Sequence, residues 1–123
     1  MGNKNSKIHL ETAHKTGACT LSQLNLEELP NELFKIAKLR SLDISQNKLT
    51  FLPNELARFV NLKMFNVSTN RLRQLDQPII QALTKLETLI AHSNLFVQMP
   101  SFTACRQLKT VIDKFMSNDT LYI

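Results

Sequence analysis

The stretch Leu39-x-x-Leu42-x-Ile44-x-x-Asn47-x-Leu49-x-x-Leu52-Pro53 returns from Leu62 as Leu62-x-x-Phe65-x-Val67-x-x-Asn70-x-Leu72-x-x-Leu75. A further copy starts at Leu86, with Leu89, Ala91, Asn94, Phe96, Met99 and Pro100 in matching places. A degenerate earlier copy carries Cys19, Leu21, Leu26, Leu29 and Pro30. Self-similarity at a fixed period of this length marks a stacked array, in which each unit covers the apolar face of its neighbour.

Within a copy, the first, fourth and sixth places are apolar and alternate with polar residues (Leu39, Leu42, Ile44; Leu62, Phe65, Val67; Leu86, Leu89, Ala91). That alternation predicts a short half-buried strand with these side chains inward. One such strand cannot cover its own apolar face, so parallel strands must stack coil on coil. Asn47, Asn70 and Asn94 fall where the chain turns out of the strand, and an amide offers both donors and an acceptor to backbone groups opened by the turn. They are expected to form a structural ladder between coils. After the turn, Leu29-Pro30-x-x-Leu33-x-x-Ile36 and Leu52-Pro53-x-x-Leu56-x-x-Phe59 place an apolar residue at every third position. This spacing predicts an irregular or 3₁₀ return on the convex side. Asp76 and Pro78 break the Leu-Pro pattern in the copy that starts at Leu62, and the copy that starts at Leu86 is shorter, with Leu108 opening the next.

The period and the Leu/Asn pattern are those of a leucine-rich repeat. The Leu-Pro-x-x-Leu form over residues 16–108 resembles the subclass found in intracellular scaffolds such as Scribble and the Ras suppressor. The opening Met1-Gly2-Asn3, with Glu11-Thr12-Ala13, Lys15-Thr16-Gly17 and the first repeat, resembles the leucine-rich repeat-containing protein 57 family. The expected fold is therefore an α/β repeat solenoid. It has a short parallel sheet on the concave side, an irregular or 3₁₀ convex side, a short N-terminal helical cap and a C-terminal helical cap. Residues 1–15 form the lipid-anchor and N-terminal cap segment, 16–107 four leucine-rich repeats, and 108–123 a cap or an incomplete repeat.

An open solenoid exposes its core at both ends unless something covers it. Ser6 is placed to cap a helix running through Ile8 and Ala13 and stopping at Gly17. Leu108 and Val111 fit a fifth strand, but Asp113 would then point inward. Leu108, Val111, Ile112, Phe115 and Met116 are spaced as one face of a helix, which favours the cap over a truncated further repeat. The ending Leu121-Tyr122-Ile123 reads as a frayed terminus, with a PDZ-type carboxylate ligand as the rival.

The chain has 123 residues, 43% of them hydrophobic, with only two Gly and four Pro, which excludes low-complexity and collagen-like readings. No apolar run is long enough to suggest a membrane-spanning helix. The start lacks the apolar stretch of a secretory signal, so a cytoplasmic protein with both cysteines reduced is expected. The repeat register separates Cys19 from Cys105 by three strand spacings, roughly 14 Å, beyond disulfide reach. The Asn66-Val-Ser and Asn118-Asp-Thr sequons are expected to be chance matches.

Met1-Gly2-x-x-x-Ser6 matches the N-myristoylation pattern, in which an exposed N-terminal Gly2 presents the amine that is acylated. A single acyl chain binds membranes only marginally, and Lys4, Lys7 and Lys15 are the candidate electrostatic second signal. The protein is then expected to be peripheral on membranes, and phosphorylation of Ser6 would weaken attachment. His9, His14 and His92 do not gather with Cys, Asp or Glu at ligand spacing, so no metal is expected. No Gly-rich phosphate loop, nucleophile elbow or Ser/His/Asp constellation is present, so neither a catalytic residue nor a cofactor is assigned.

Places three, five and seven of each repeat are expected to line the concave face: Ser41, Asp43 and Ser45; Met64, Asn66 and Ser68; Thr88, Ile90 and His92. The row is small and neutral, with an apolar spot at Met64 and Ile90, which suits a protein partner. The net charge of +5 admits a nucleic acid, but these places carry neither Lys nor Arg, so none is expected. The reading is a non-catalytic interaction adaptor tethered by its lipid. The alternative is a regulatory subunit of a cytosolic enzyme such as a phosphatase.

Overall fold

The computed structural model describes residues 4–113 and 120–122, with side chains described over 7–113. Among the described residues six strands form one sheet in sequence order: β1 (Ala18–Thr20), β2 (Ser41–Asp43), β3 (Met64–Asn66), β4 (Thr88–Ile90), β5 (Thr110–Ile112) and β6 (Thr120–Tyr122). The first five are parallel, with Ala18, Ser41, Met64, Thr88 and Thr110 in register. The inward places carry the core: Leu42, Ile44, Phe65, Val67, Leu89 and Ala91 are fully buried, and one apolar cluster runs from Leu10 and Ala13 to Val111. This is the solenoid that the repeat pattern predicts.

On the convex side, Asn31–Lys35 and Asn54–Arg58 are 3₁₀ turns. Each follows a proline held near φ −70 (Pro30 at −68, Pro53 at −70), the value to which the pyrrolidine ring confines the chain. Leu33 and Leu56 donate their N–H groups back to those proline carbonyls at 3.1 Å, and both side chains are buried. The Phe34 and Phe59 rings stack at 5.9 Å across this side. The third return differs from the expected 3₁₀ form. Residues Gln77–Ala82 make a short α-helix, α2, with Asp76 as its N-cap residue and Pro78 in its first turn. The extra residue of that copy supplies the wider turn, and Ile79 and Ile80 are both buried by it.

The N-terminal end is closed by α1 (Lys4–Thr16), which buries Leu10 and Ala13. It begins before Ser6, so that residue lies inside the helix and is not its cap. It ends where predicted: Gly17 adopts φ +78 and donates its N–H to Ala13 O at 2.8 Å. A side chain there would be strained, and its Cβ would come within 3.2 Å of Arg40 Nε.

Over the described residues 108–113 the expected helix is not formed. Residues 110–112 are β5, with Val111 and Leu108 buried inward, and Phe115 and Met116 lie outside the described residues. The cause is the open edge of β4. Lys109 and Thr110 donate their N–H groups to Glu87 O, and Ala91 donates its own to Ile112 O at 2.7 Å. A helix would have left this row of buried groups unpaired. Asp113 takes the sixth, inward place and is 2% exposed. β6 then lies antiparallel on β5, pairing Val111 with Leu121, so Leu121 and Tyr122 of the expected frayed ending are in a strand.

Candidate interaction surface

Asn47, Asn70 and Asn94 stitch each coil to the one before it. Asn70 Nδ2 donates to Ile44 O at 3.0 Å on the preceding coil, and to Val67 O and Ser68 O on its own. Its Oδ1 accepts the Leu49 N–H at 3.0 Å. Asn94 repeats this with Val67 O at 2.9 Å and the Leu72 N–H at 3.0 Å. Asn47 reaches Leu21 O at 2.8 Å, and its Oδ1 accepts from both Leu24 and Leu26. The residue before each of these asparagines (Gln46, Thr69, Ser93) has φ between +55 and +60. That left-handed step turns the chain out of the strand and aims the amide inward.

The outward strand places form two rows in register. One is Ala18, Ser41, Met64, Thr88, Thr110; the other is Thr20, Asp43, Asn66, Ile90, Ile112. From Ser41 and Asp43 onward these side chains are half-buried, and no Lys or Arg is among them.

Two residues of the candidate face do not lie on it. Ser45 and Ser68, expected to face out, are buried at 3% and 5% exposure. The strands end at Asp43 and Asn66, so the seventh place already belongs to the turn. There Asp43 Oδ1 accepts both the N–H and the hydroxyl of Ser45, at 2.9 and 2.6 Å, and Asn66 Oδ1 holds Ser68 likewise at 3.0 and 2.7 Å. His92 holds the same seventh place on its coil but is not covered in this way. It stays half-exposed, its Nδ1 within 3.0 Å of Ser93 Oγ.

The apolar centre is shifted as well. Ile90 pairs directly with Ile112 on β5, about 4.8 Å away across one strand spacing, whereas Met64 faces Thr88 and meets Ile90 only diagonally. The helical spacing around Thr110 and Ile112 conceals their place on this face. The pattern Leu108-x-x-Val111-x-Asp113 repeats places one, four and six of the other coils and is the signal that marks them.

Of the membrane-directed residues, Gly2 lies outside the described residues and Lys4 opens α1. Lys7 and Lys15 are exposed on that helix. Cys19 and Cys105 are free and buried. Cys19 points inward from β1, and Cys105 occupies the convex place of Phe59 and Leu83, donating its thiol to Ile80 O at 3.3 Å. Burial pushes the Cys19 thiol up to about 11 and raises that of Cys105. Among the described residues no three His, Cys, Asp or Glu side chains could hold a metal ion, and no helix is long and apolar enough to cross a membrane.

The profile of the leucine rich repeat family matches residues 20–72 and 37–96. Among solved structures, a leucine-rich-repeat protein of Leptospira interrogans superposes with a TM-score of 0.64 at 22% identity, over 84% of this chain and 35% of that one. The chain thus spans about a third of the length of that match, and the likeness is one of fold. A comparison with curated proteins returned no match. Leucine-rich repeats are generally protein-interaction modules and typically not enzymes. With the matched repeats, the parallel sheet and the asparagine ladder together, the chain belongs to the leucine-rich-repeat family.

Proposed function

We propose that this protein is a non-catalytic adaptor that holds a protein segment on its concave face, and that N-myristoylation of Gly2 tethers it to a membrane. The observation that supports the first part is the paired Ile90 and Ile112, flanked by Met64, Thr88, Thr110 and Asn66. An apolar centre with a neutral hydrogen-bonding surround, free of long cationic side chains, has the anatomy of an interface hot spot. The second part rests on the Met1-Gly2-x-x-x-Ser6 pattern, with Lys7 and Lys15 exposed on the helix that follows.

Affinity capture from cells with the full chain tests both. Substituting Ile90→Glu and Ile112→Glu together is expected to abolish capture of the main partner while the melting temperature changes little, because both side chains are partly exposed. Gly2→Ala is expected to retain capture from lysate but to move the protein from membrane to soluble fractions. Capture that survives the double substitution would refute the concave site. Wild-type protein that is already soluble would refute the tether and favour the regulatory-subunit reading.

A further inference from the structure

One lateral edge of the solenoid, where the chain enters each strand, carries a groove of about 580 Å³ between the end of α1 and the coil turns. Its wall includes His14, Lys15, Lys38, Arg40, Lys63 and Lys85, and no carboxylate. The repeat brings these residues together: Lys38 and Lys85 hold the same place two coils apart, and Arg40 and Lys63 the same place one coil apart. Lys63 donates its backbone N–H to Arg40 O at 2.7 Å.

Two of the cations are pinned in position. Arg40 Nη2 donates to Thr16 O at 3.1 Å, closing the end of α1, and Lys85 Nζ donates to Asn61 Oδ1 at 2.9 Å. Among the described residues none of the five is in an ion pair: Glu87, which follows Lys63 one coil on and donates its backbone N–H to Lys63 O at 2.8 Å, lies outside the lining and pairs with Lys109 at 3.9 Å. Five basic side chains crowded about one concavity whose wall holds no carboxylate repel one another, and an anion of high charge density relieves that repulsion.

The lining also discriminates among anions. An acidic protein segment would need an apolar anchor pocket, yet the apolar side chains of the wall, Ala13 and Ile36, are themselves buried. A nucleic acid strand would need aromatic stacking platforms, and the lining holds no aromatic residue other than the His14 imidazole. What remains is a compact group with several charges, small enough for a pocket of ordinary ligand size. Phosphate oxygens suit the Arg40 fork and the lysine ammonium donors.

We propose that this groove binds a multiply phosphorylated small anion of the size and charge of a phosphorylated inositol headgroup, with Lys15, Lys38, Arg40, Lys63 and Lys85 supplying the field. The headgroup can come from a lipid or from solution. The site is separate from the concave face and does not require the acyl chain.

The test uses the full chain as Gly2→Ala, so that no acyl anchor contributes. Its probes are soluble inositol trisphosphate, phosphatidylcholine vesicles carrying phosphatidylinositol bisphosphate, and matched-charge vesicles carrying phosphatidylserine. Lys38→Ala, Lys63→Ala and Lys85→Ala are combined in one variant. Lys48→Ala, Arg71→Ala and Arg73→Ala, exposed on the opposite edge, give a second variant of identical net charge. At about fivefold per lysine, the first variant is expected to weaken binding on the order of a hundredfold, the second by far less. Lysine-to-arginine replacement at the three groove positions should restore it.

Binding to trisphosphate alone assigns the soluble source, and binding to the bisphosphate vesicles alone the lipid source. Either supports the site if the groove variant loses it. Equal loss in both variants, vesicle binding that shows no preference over phosphatidylserine, or binding to neither phosphorylated probe would overturn it.

Discussion

Replacing the ladder asparagines by alanine should cost unequal amounts, in an order fixed by which backbone groups each substitution strands. In Asn70→Ala the three carbonyls lose one donor each but keep another. Ile44 O retains Asn47 Nδ2 at 3.1 Å, Val67 O retains Asn94 Nδ2 at 2.9 Å, and Ser68 O retains the Gln46 N–H at 3.0 Å. The stranded group is the Leu49 N–H, whose acceptor is Asn70 Oδ1. One orphaned buried donor costs about 1–3 kcal/mol. Asn47→Ala strands the buried Leu26 N–H and the part-buried Leu24 N–H and takes from Leu21 O the amide that reaches it, so its cost should be the largest of the three. Asn94→Ala strands the Leu72 N–H, but this amide is only half-buried. Water can replace it, which puts the loss near the lower end, about 1 kcal/mol. Urea unfolding reads the series directly. With a slope of about 1–3 kcal/mol per molar for a domain of this size, the Asn70→Ala midpoint should fall by about 1 M. Three equal losses, or Asn94→Ala costing as much as Asn47→Ala, would refute the assignment of stability to stranded backbone groups.

Two further outcomes test the core. Leu42, fully buried between neighbouring strands, should cost about 2–5 kcal/mol as Leu42→Ala and under about 1.5 kcal/mol as Leu42→Met, because only the first leaves a cavity; urea midpoints of the two variants check this. The Cys19 thiol is raised from 9.0 to about 11 in the folded chain, so folding favours its protonated form and the associated stability is complete below pH 9.0. It is lost as the pH rises toward about 11, and the stability difference between wild type and Cys19→Ala should shrink over that interval. A difference that is constant with pH would contradict the thiol's burial.

What is legible in the sequence is what recurs. Leu42, Phe65 and Leu89 occupy one place on three coils, and the asparagines another, so each assignment is supported several times over. What escapes departs from the average coil. Asp113 at an inward place argues against a strand, and the helical spacing of Val111, Ile112, Phe115 and Met116 offers a local alternative. The unpaired edge of β4, a tertiary demand, decides for β5. Asp76 and Pro78 hide α2 for a similar reason, since one added residue changes which backbone bonds close the return. Simple alternation places Ser45 and Ser68 outward, and it fails once the strand has ended and Asp43 and Asn66 fold their own side chains over the turn. The basic groove is hidden as long as the period is followed only through apolar positions. The translation that aligns Leu39, Leu62 and Leu86 also brings Lys38 into line with Lys85 and Arg40 into line with Lys63, on either side of those leucines.

The register of the parallel strands also governs how the chain can find its fold. From β1 through β5, Ala18 pairs with Ser41, Ser41 with Met64, Met64 with Thr88 and Thr88 with Thr110. Each step spans one repeat, and no pairing among them requires a longer excursion. Since the entropy of closing a loop depends on its length, every interface of the array costs nearly the same to form. No single long-range contact therefore has to be awaited as the rate-limiting event. Folding can begin at whichever pair of coils first meets and spread outward one coil at a time. In such a zipper the asparagines act as pawls. Each can close only when the preceding coil is in place to receive its amide, so growth advances by whole coils, and loss of structure should begin at the ends.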